Sequence, residues 1–412
     1  MKPLLAGFFV VCLSLSAKDS CLECHSILEG SLQAPAKAFP TDIHSHHGFR
    51  CNDCHGGDPN TDDLELSMSA SRGFIGKPSR TAIPKLCARC HSDAVLIHKF
   101  RPQQRVDQMA QYQTSVHGKR LAQGDEAVAT CVDCHSVHDI RETKDPQSPT
   151  YPTRLPQTCS RCHASPEHMA KYKISTTQFA DYQTSVHWEA LSKGNDLSAP
   201  NCATCHGNHG ATPPLVSSVA EVCGSCHVVF EELFSKSPHQ VAFSGTGACV
   251  VCHSNHGIQR PSDAMLAGST AVCSQCHDDA SVGGKTALEM ASLIKNLDDS
   301  VQRSDNILER ARSYGMEVSE ALLRQHEAKA NLVKARVAVH AFRSDGVQKA
   351  VRDGLSITRE TLGSGEAALQ ERDHRRFGLG VSLIFILITL MGLWLVIRRI
   401  ENKGIPTSNS DA

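Results

Sequence analysis

The alternation of apolar and polar positions divides this 412-residue chain into segments of different character. Behind a single lysine, residues 4–13 form an uncharged apolar run, followed by the small residues Ser14, Ser16 and Ala17. That order predicts a signal peptide over residues 1–17, since the run is too short to cross a bilayer as a helix. Over residues 18–277 neither a helical nor a strand period persists, and Pro, Gly, Ser and Asp recur between short apolar stretches. Short helices and wrapping loops are expected there. From residue 284 to 373 the pattern becomes helical, with Val301, Leu308, Ala311, Val318, Leu322 and Leu332 keeping a seven-residue seam between charged positions. Gly315 and the Ser344, Asp345, Gly346 cluster interrupt it. Three helices are predicted, near 285–313, 317–342 and 347–373, the first two forming an antiparallel hairpin that acts as a spacer or oligomerisation element. Residues 377–397 carry no charge and are flanked by Arg375, Arg376, Arg398 and Arg399. At about 1.5 Å per residue they are long enough to cross about 30 Å of hydrocarbon. An exported leader would place everything before this span outside and leave residues 398–412 as a short cytoplasmic tail, too small for a signalling domain.

Cysteine usage changes the picture of the middle segment. Eighteen of the 19 cysteines lie in C-x-x-C-H motifs; Cys12, in the leader, is the exception. Such a motif attaches c-type haem: both thiols add to the haem vinyl groups and the histidine binds the iron. The nine sets are Cys21, Cys24 and His25; Cys51, Cys54 and His55; Cys87, Cys90 and His91; Cys131, Cys134 and His135; Cys159, Cys162 and His163; Cys202, Cys205 and His206; Cys223, Cys226 and His227; Cys249, Cys252 and His253; and Cys273, Cys276 and His277. A zinc site or a thiol redox pair also uses C-x-x-C but does not require the next histidine. With 23 histidines in the chain, chance would place one there in about one motif in eighteen. All nine have it, so nine covalent haems are expected.

Eight motifs fall into a fourfold tandem of two-haem units, and the Cys21 motif stands outside it. In full form a unit has a leading histidine, then C-x-x-C-H-x-x-H, a loop, and a second C-x-x-C-H. The phrase YQTSVH ends at His117 and again at His187, and KSPH at His239 is its worn counterpart. The first unit has the cluster HSHH, residues 44–47, in the leading place. A second axial ligand decides between electron transfer and catalysis, because a filled iron moves electrons with little rearrangement whereas an open one binds substrate. The trailing His138, His209 and His256 lie on the proximal side of their own porphyrin and are expected to ligate neighbouring haems. The leading His117, His187 and His239, with His44 and His47 from the cluster, are the other expected distal ligands. His98 and His168 read as surface residues, and His326, His340 and His374 on the helices are not expected to ligate.

With aromatics at 5% and about 29 residues per motif, the haems themselves must supply much of the interior. A net charge of -1 points to neither nucleic acid nor an acidic surface. The expected fold is a multihaem domain of short helices and loops over residues 18–277, an all-α hairpin or bundle over 278–376, and one transmembrane helix over 377–397.

YQTSVHGKRL, CVDCHSVHDI, CARCHSD and CATCHGNHGATPP, within about residues 40–277, make the chain similar to the membrane-anchored multihaem c-type cytochromes of bacterial respiratory chains with doubled C-x-x-C-H motifs. The resemblance implies a periplasmic haem wire on the inner membrane, carrying electrons between a quinol-oxidising membrane partner and soluble or outer-membrane cytochromes or a terminal reductase. It departs from the small quinol dehydrogenases with a tetrahaem head, whose anchor is N-terminal and adjacent to the haems; here about a hundred residues separate His277 from the apolar span. An alternative is a multihaem reductase of a small nitrogen or sulfur oxyanion with one open haem, the Cys21 motif being the first candidate. No C-x-x-C-K motif occurs.

Overall fold

The computed structural model describes residues 19–213, 219–244, 247–268 and 270–402. The predicted signal peptide and most of the tail lie outside them. Among the described residues there is no strand: the haem-motif region is a succession of helices of three to nine residues joined by turns, and three long helices follow it. Two compact units result, Met1–Ser218 with His253–Arg260, and Val219–Cys252 with Pro261–Ala412. This division does not follow the end of the motifs at His277, because the second unit holds cysteines of the last three motifs together with the long helices.

In the second unit, the helices Val282–Ser313 and Ser319–Ala338 pack with a third, Ser344–Glu401. Each buries a 3-4 repeat: Met290, Ile294, Leu297, Val301, Ser304, Leu308 and Ala311 on the first, Ala321, Gln325, Ala328, Leu332 and Ala335 on the second, and Val347, Val351, Gly354, Thr358, Thr361 and Gly365 on the third. The seam read from the sequence is therefore consumed inside the chain's own three-helix bundle, with Leu322 half-buried at its edge. One polar layer crosses it. Ser304 and Thr361 share a hydrogen bond of 2.8 Å, the Thr361 hydroxyl donates to the Gln325 side-chain oxygen at 2.7 Å, and the Gln325 amide donates to the Val301 carbonyl at 3.0 Å. A satisfied polar layer of this kind fixes the axial register of the helices.

The third helix differs from expectation. The predicted helix 347–373 and the apolar span 377–397 are one uninterrupted helix of 58 residues, because no Pro or cap residue separates them. Among the described residues nothing covers its apolar part, which is long and apolar enough to cross a membrane. At the bundle end nearest that part, the Tyr314 ring takes the Arg372 guanidinium at 4.3 Å and that of Arg376 at 5.4 Å. The opposite end, where the first helix begins at Val282, is about 48 Å away over 32 residues.

Close approach inside the bundle makes a test. A Cβ on Gly354 would lie 2.8 Å from both Leu297 methyls and 3.3 Å from the Asn331 Cβ. Gly354→Ala is expected to destabilise the bundle by about 1–3 kcal/mol, read as a lower urea midpoint of the helical circular-dichroism signal.

Candidate haem-ligation sites

The motifs occupy two kinds of helix. Cys51–His55, Cys131–His135, Cys202–His206 and Cys249–His253 begin on the first cysteine and end on the histidine. Three of the starts are capped by side chains: the Asp53 carboxylate accepts the Arg50 amide and the Asp133 carboxylate the Thr130 amide, both at 2.6 Å, and the Asn201 side-chain oxygen accepts the Ala203 amide at 3.1 Å. Their ends are enforced by the next residue, since Gly56, Ser136, Gly207 and Ser254 have φ of 70°, 70°, 79° and 58°. A left-handed residue there stops the helix directly behind the histidine. Ile83–His91 and Leu155–His163 instead carry the motif at the end of nine residues, with Pro84 and Pro156 in the first turn, where a missing N–H costs nothing. An arginine in each of these motifs ties it to the preceding one: Arg89 donates to the Cys54 carbonyl at 2.8 Å and Arg161 to the Asp133 carbonyl at 2.5 Å. Both place a cation against the carbonyl end of a short helix.

The thiols are ordered along the chain. The first cysteines of motifs lie within electrostatic reach of one another in pairs, Cys87 with Cys131, Cys159 with Cys202, Cys223 with Cys249 and Cys21 with Cys51. Cysteines of alternate neighbours then meet: Cys54 with Cys87 and Cys90, Cys134 with Cys162, and Cys252 with Cys273 and Cys276. Attachment sites thus succeed one another in sequence order through the six of the first unit, and again through the last three. Burial first, then the charges of Asp19 and Cys21, pushes the Cys51 thiol up to about 11. No three His, Cys, Asp or Glu side chains among the described residues converge in the manner of a zinc site.

Motif histidines meet other histidines at one recurring distance. Ring centroids are 6.0 Å apart for His55 and His138, His135 and His209, and His206 and His256, with interplanar angles of 25°, 13° and 7°. For His44 and His91 the values are 5.9 Å and 88°, for His117 and His163 6.1 Å and 64°, and for His239 and His277 6.0 Å and 84°. Two imidazoles bound to one metal through bonds of about 2 Å, plus the half-width of each ring, span about 6 Å. These six pairs therefore fit an iron between them. The outer nitrogens are already engaged: His55 Nδ1 lies 2.9 Å from the Gly76 carbonyl, His44 Nδ1 2.9 Å from the Asp42 carboxylate, His25 Nδ1 3.0 Å from the Leu32 carbonyl and His206 Nδ1 3.3 Å from the Thr212 carbonyl. Such a bond fixes the tautomer that leaves Nε2 as the donor atom. Burial, then the neighbouring His209 and His91, lowers His135 to about 4, which keeps the ring neutral as ligation requires.

The pairs follow a rule. A trailing histidine faces the first motif of the preceding repeat, and a leading histidine faces the second motif of its own. Backbone clasps hold that arrangement. The N–H groups of Ile43, Val116 and Val186, each just before a leading histidine, donate to the carbonyls of Ile140, Ala211 and Ile258, each two residues beyond the trailing histidine of the next repeat. The residue before each donor, Asp42, Ser115 or Ser185, is buried and caps the helix that carries the leading histidine. The Tyr112 and Tyr182 hydroxyls donate to the Ala129 and Pro200 carbonyls at 2.8 and 2.7 Å, two residues ahead of their repeat's first cysteine. The Tyr and Ser of YQTSVH thus make the same contacts in both copies, as do Thr114 and Thr184, whose hydroxyls donate to the Gln111 and Asp181 carbonyls at 2.7 Å, and those contacts could not be read from the sequence.

Of the other expected ligands, His187 occupies the leading position beside Val186 and Ser185. His47 packs edge-on against Phe100 at 5.3 Å rather than against a motif histidine. His98 Nε2 lies 3.1 Å from the Gln104 carbonyl and His168 stands 6.1 Å from the Tyr172 ring.

Comparison with known proteins gives one family: the model of cytochrome c3 matches residues 43–164 and 195–278, half of the chain. Those segments contain the eight motifs of the tandem; the Cys21 motif and the long helices lie outside. No curated protein and no solved structure matches. The clasp predicts that Ser115→Ala, which removes the acceptor of the Gly118 amide at 2.9 Å, lowers stability by about 1 kcal/mol in denaturant unfolding, with covalent haem content unchanged in pyridine haemochrome assays.

Proposed function

The chain belongs to the cytochrome c3 family, and on that premise we propose that this multihaem electron-transfer protein is a membrane-anchored, periplasmic nonahaem carrier of a respiratory chain. It relays electrons between a quinol-oxidising partner in the inner membrane and soluble or outer-membrane acceptors. Each bound haem supplies a one-electron iron couple. The observation that carries the reading is the set of six histidine pairs at 5.9–6.1 Å. Two neutral imidazoles on one iron leave no face for substrate, and rings pinned through Nδ1 keep the ligand set unchanged between oxidation states. In this reading the eighteen motif cysteines hold nine haems, the motif histidines are proximal ligands, and His44, His117, His138, His209, His239 and His256 cap the facing irons. His187 takes the same role by its place in the repeat.

The thiol order supports a relay because neighbouring sites in sequence are neighbours in space within each unit. The bundle supports the anchor. Read as a stalk on a membrane-spanning helix, it holds the end next to His277 about 48 Å from the apolar span. At that distance the last repeat exchanges electrons with a protein surface rather than with a quinol in the bilayer.

Low-temperature EPR and optical spectra under carbon monoxide test the carrier reading on the detergent-solubilised, haem-loaded chain. Low-spin signals without carbon monoxide binding are expected; a high-spin haem that binds it would favour the oxyanion-reductase alternative. The two sets of interplanar angles predict two low-spin classes, rhombic from the near-parallel pairs and strongly anisotropic from the near-perpendicular ones. His138→Ala, His209→Ala and His256→Ala should each convert one iron to high spin, that of the preceding repeat, with nine haems still attached. Truncation before Arg375 should release a soluble fragment carrying all nine haems, seen by ultracentrifugation of membrane fractions.

A further inference from the structure

We propose that the buried carboxylate of Asp42 tunes one haem of the chain: by accepting the Nδ1–H of His44 it holds the potential of the haem attached at Cys87 and Cys90 below the value a neutral acceptor would give. The inference rests on the electron-carrier reading, in which His91 and His44 hold that iron from its two sides. It adds a positioning residue that acts on the iron through His44. Every group it uses lies in the first compact unit.

Asp42 is 2% exposed. Its Oδ1 accepts the His44 backbone amide at 2.8 Å and faces His44 Nδ1 at 2.9 Å, while its Oδ2 accepts the Ile140 amide at 2.7 Å. The Ile140 carbonyl accepts the Ile43 amide at 2.8 Å in return, so the carboxylate is fixed between two segments 98 positions apart. Three N–H groups thus compensate a charge that burial would otherwise make costly. Among the twelve rings of the six histidine pairs, His55 and His206 direct Nδ1 at the neutral carbonyls of Gly76 and Thr212. Only His44 directs it at a carboxylate. The position also stands apart within the repeat. Ser115 and Ser185 occupy the same place, one residue ahead of the clasp and two ahead of the leading histidine, and their hydroxyls accept the Gly118 and Trp188 amides at 2.9 and 3.1 Å. A serine there is enough to cap the helix; Asp42 adds a charge against the ring.

A carboxylate that takes a share of the Nδ1 proton leaves the imidazole a stronger donor through Nε2. Stronger donation stabilises ferric over ferrous iron, and the one-electron potential falls. Hydrogen bonds to a charged acceptor are about twice as strong as neutral ones, so the effect exceeds that of the carbonyls facing His55 and His206. The step concerned is the transfer of one electron from the ferrous iron of a neighbouring haem, which becomes ferric, to this ferric iron, which becomes ferrous. By the order of the thiols those neighbours are the sites that begin at Cys51 and Cys131. A lowered potential between them makes the reduced state at Cys87 a point of transit rather than a store.

The test is a redox titration of the full-length, haem-loaded protein at fixed pH, followed by low-temperature EPR. Asp42→Ser installs the residue found at positions 115 and 185, and Asp42→Asn removes the charge at nearly constant shape. Each variant should keep nine haems attached and low-spin and should raise one midpoint, by about tenfold in that haem's oxidised-to-reduced ratio or about 59 mV. The rings of His44 and His91 stand at 88° and those of His55 and His138 at 25°, so the shifted haem should belong to the strongly anisotropic class. Unchanged midpoints in both variants, with nine low-spin haems, would overturn the proposal and leave Asp42 as a cap and clasp alone. A shift confined to the rhombic class would overturn it too, because the charge would then act through His138 on the haem at Cys51. So would conversion of one iron to high spin in both variants, which would make Asp42 a support for the ring without an influence on the potential. A wild-type chain whose irons are mainly high-spin would instead overturn the carrier reading itself.

Discussion

An iron held from one side by its own motif needs a second donor about 6 Å across from the first ring, and no residue of the same short motif helix can provide it. That constraint governs the haem-motif region. The histidine that follows a motif by three residues is fixed to the near side of its porphyrin, so it must serve another. The pairing of His138, His209 and His256 with motif histidines of the preceding repeat is the geometric consequence. Consecutive repeats are then joined at every step by what one lends to the other.

A loan of this kind is only as good as the backbone that positions it. The clasps from Ile43, Val116 and Val186 stand a residue or two from the histidines they place, and the buried caps Asp42, Ser115 and Ser185 secure the donor helices. A net hydrogen bond contributes about 1 kcal/mol, modest by itself, but the clasp recurs and each one aligns two histidines of different repeats. Short motif helices, left-handed stops after the histidine and arginines on helix carbonyls serve the same end. They leave little freedom in where Nε2 points.

The long helices answer to a different requirement. Their heptad seam is satisfied inside the three-helix bundle, with Leu266 of the haem-motif region packed against its core. The continuity of Ser344–Glu401 carries bundle and apolar span as one rigid element.

Much of this was legible beforehand. The nine attachment motifs are local chemistry and need only spacing, the fourfold repeat is visible as self-similarity, and the long helices follow from a seam in which Val301, Leu308 and Ala311 recur on one face. The trailing histidines could be directed away from their own motif by exclusion, since the short link to it forbids the alternative. Which motif histidine each one faces could not be read, because that depends on how repeats stack, and stacking is set by clasps between residues about 70 to 100 positions apart. His47 and His44 were indistinguishable as sequence; the buried Asp42 that caps and orients His44 exists only in the fold. Sequence by itself determined the cofactor chemistry, the number of attachment motifs and the helical character of the second part, because these depend on neighbours along the chain. Tertiary structure alone decided which histidines pair, the order of sites and the fusion of the last two helices, because these depend on distances that spacing does not encode.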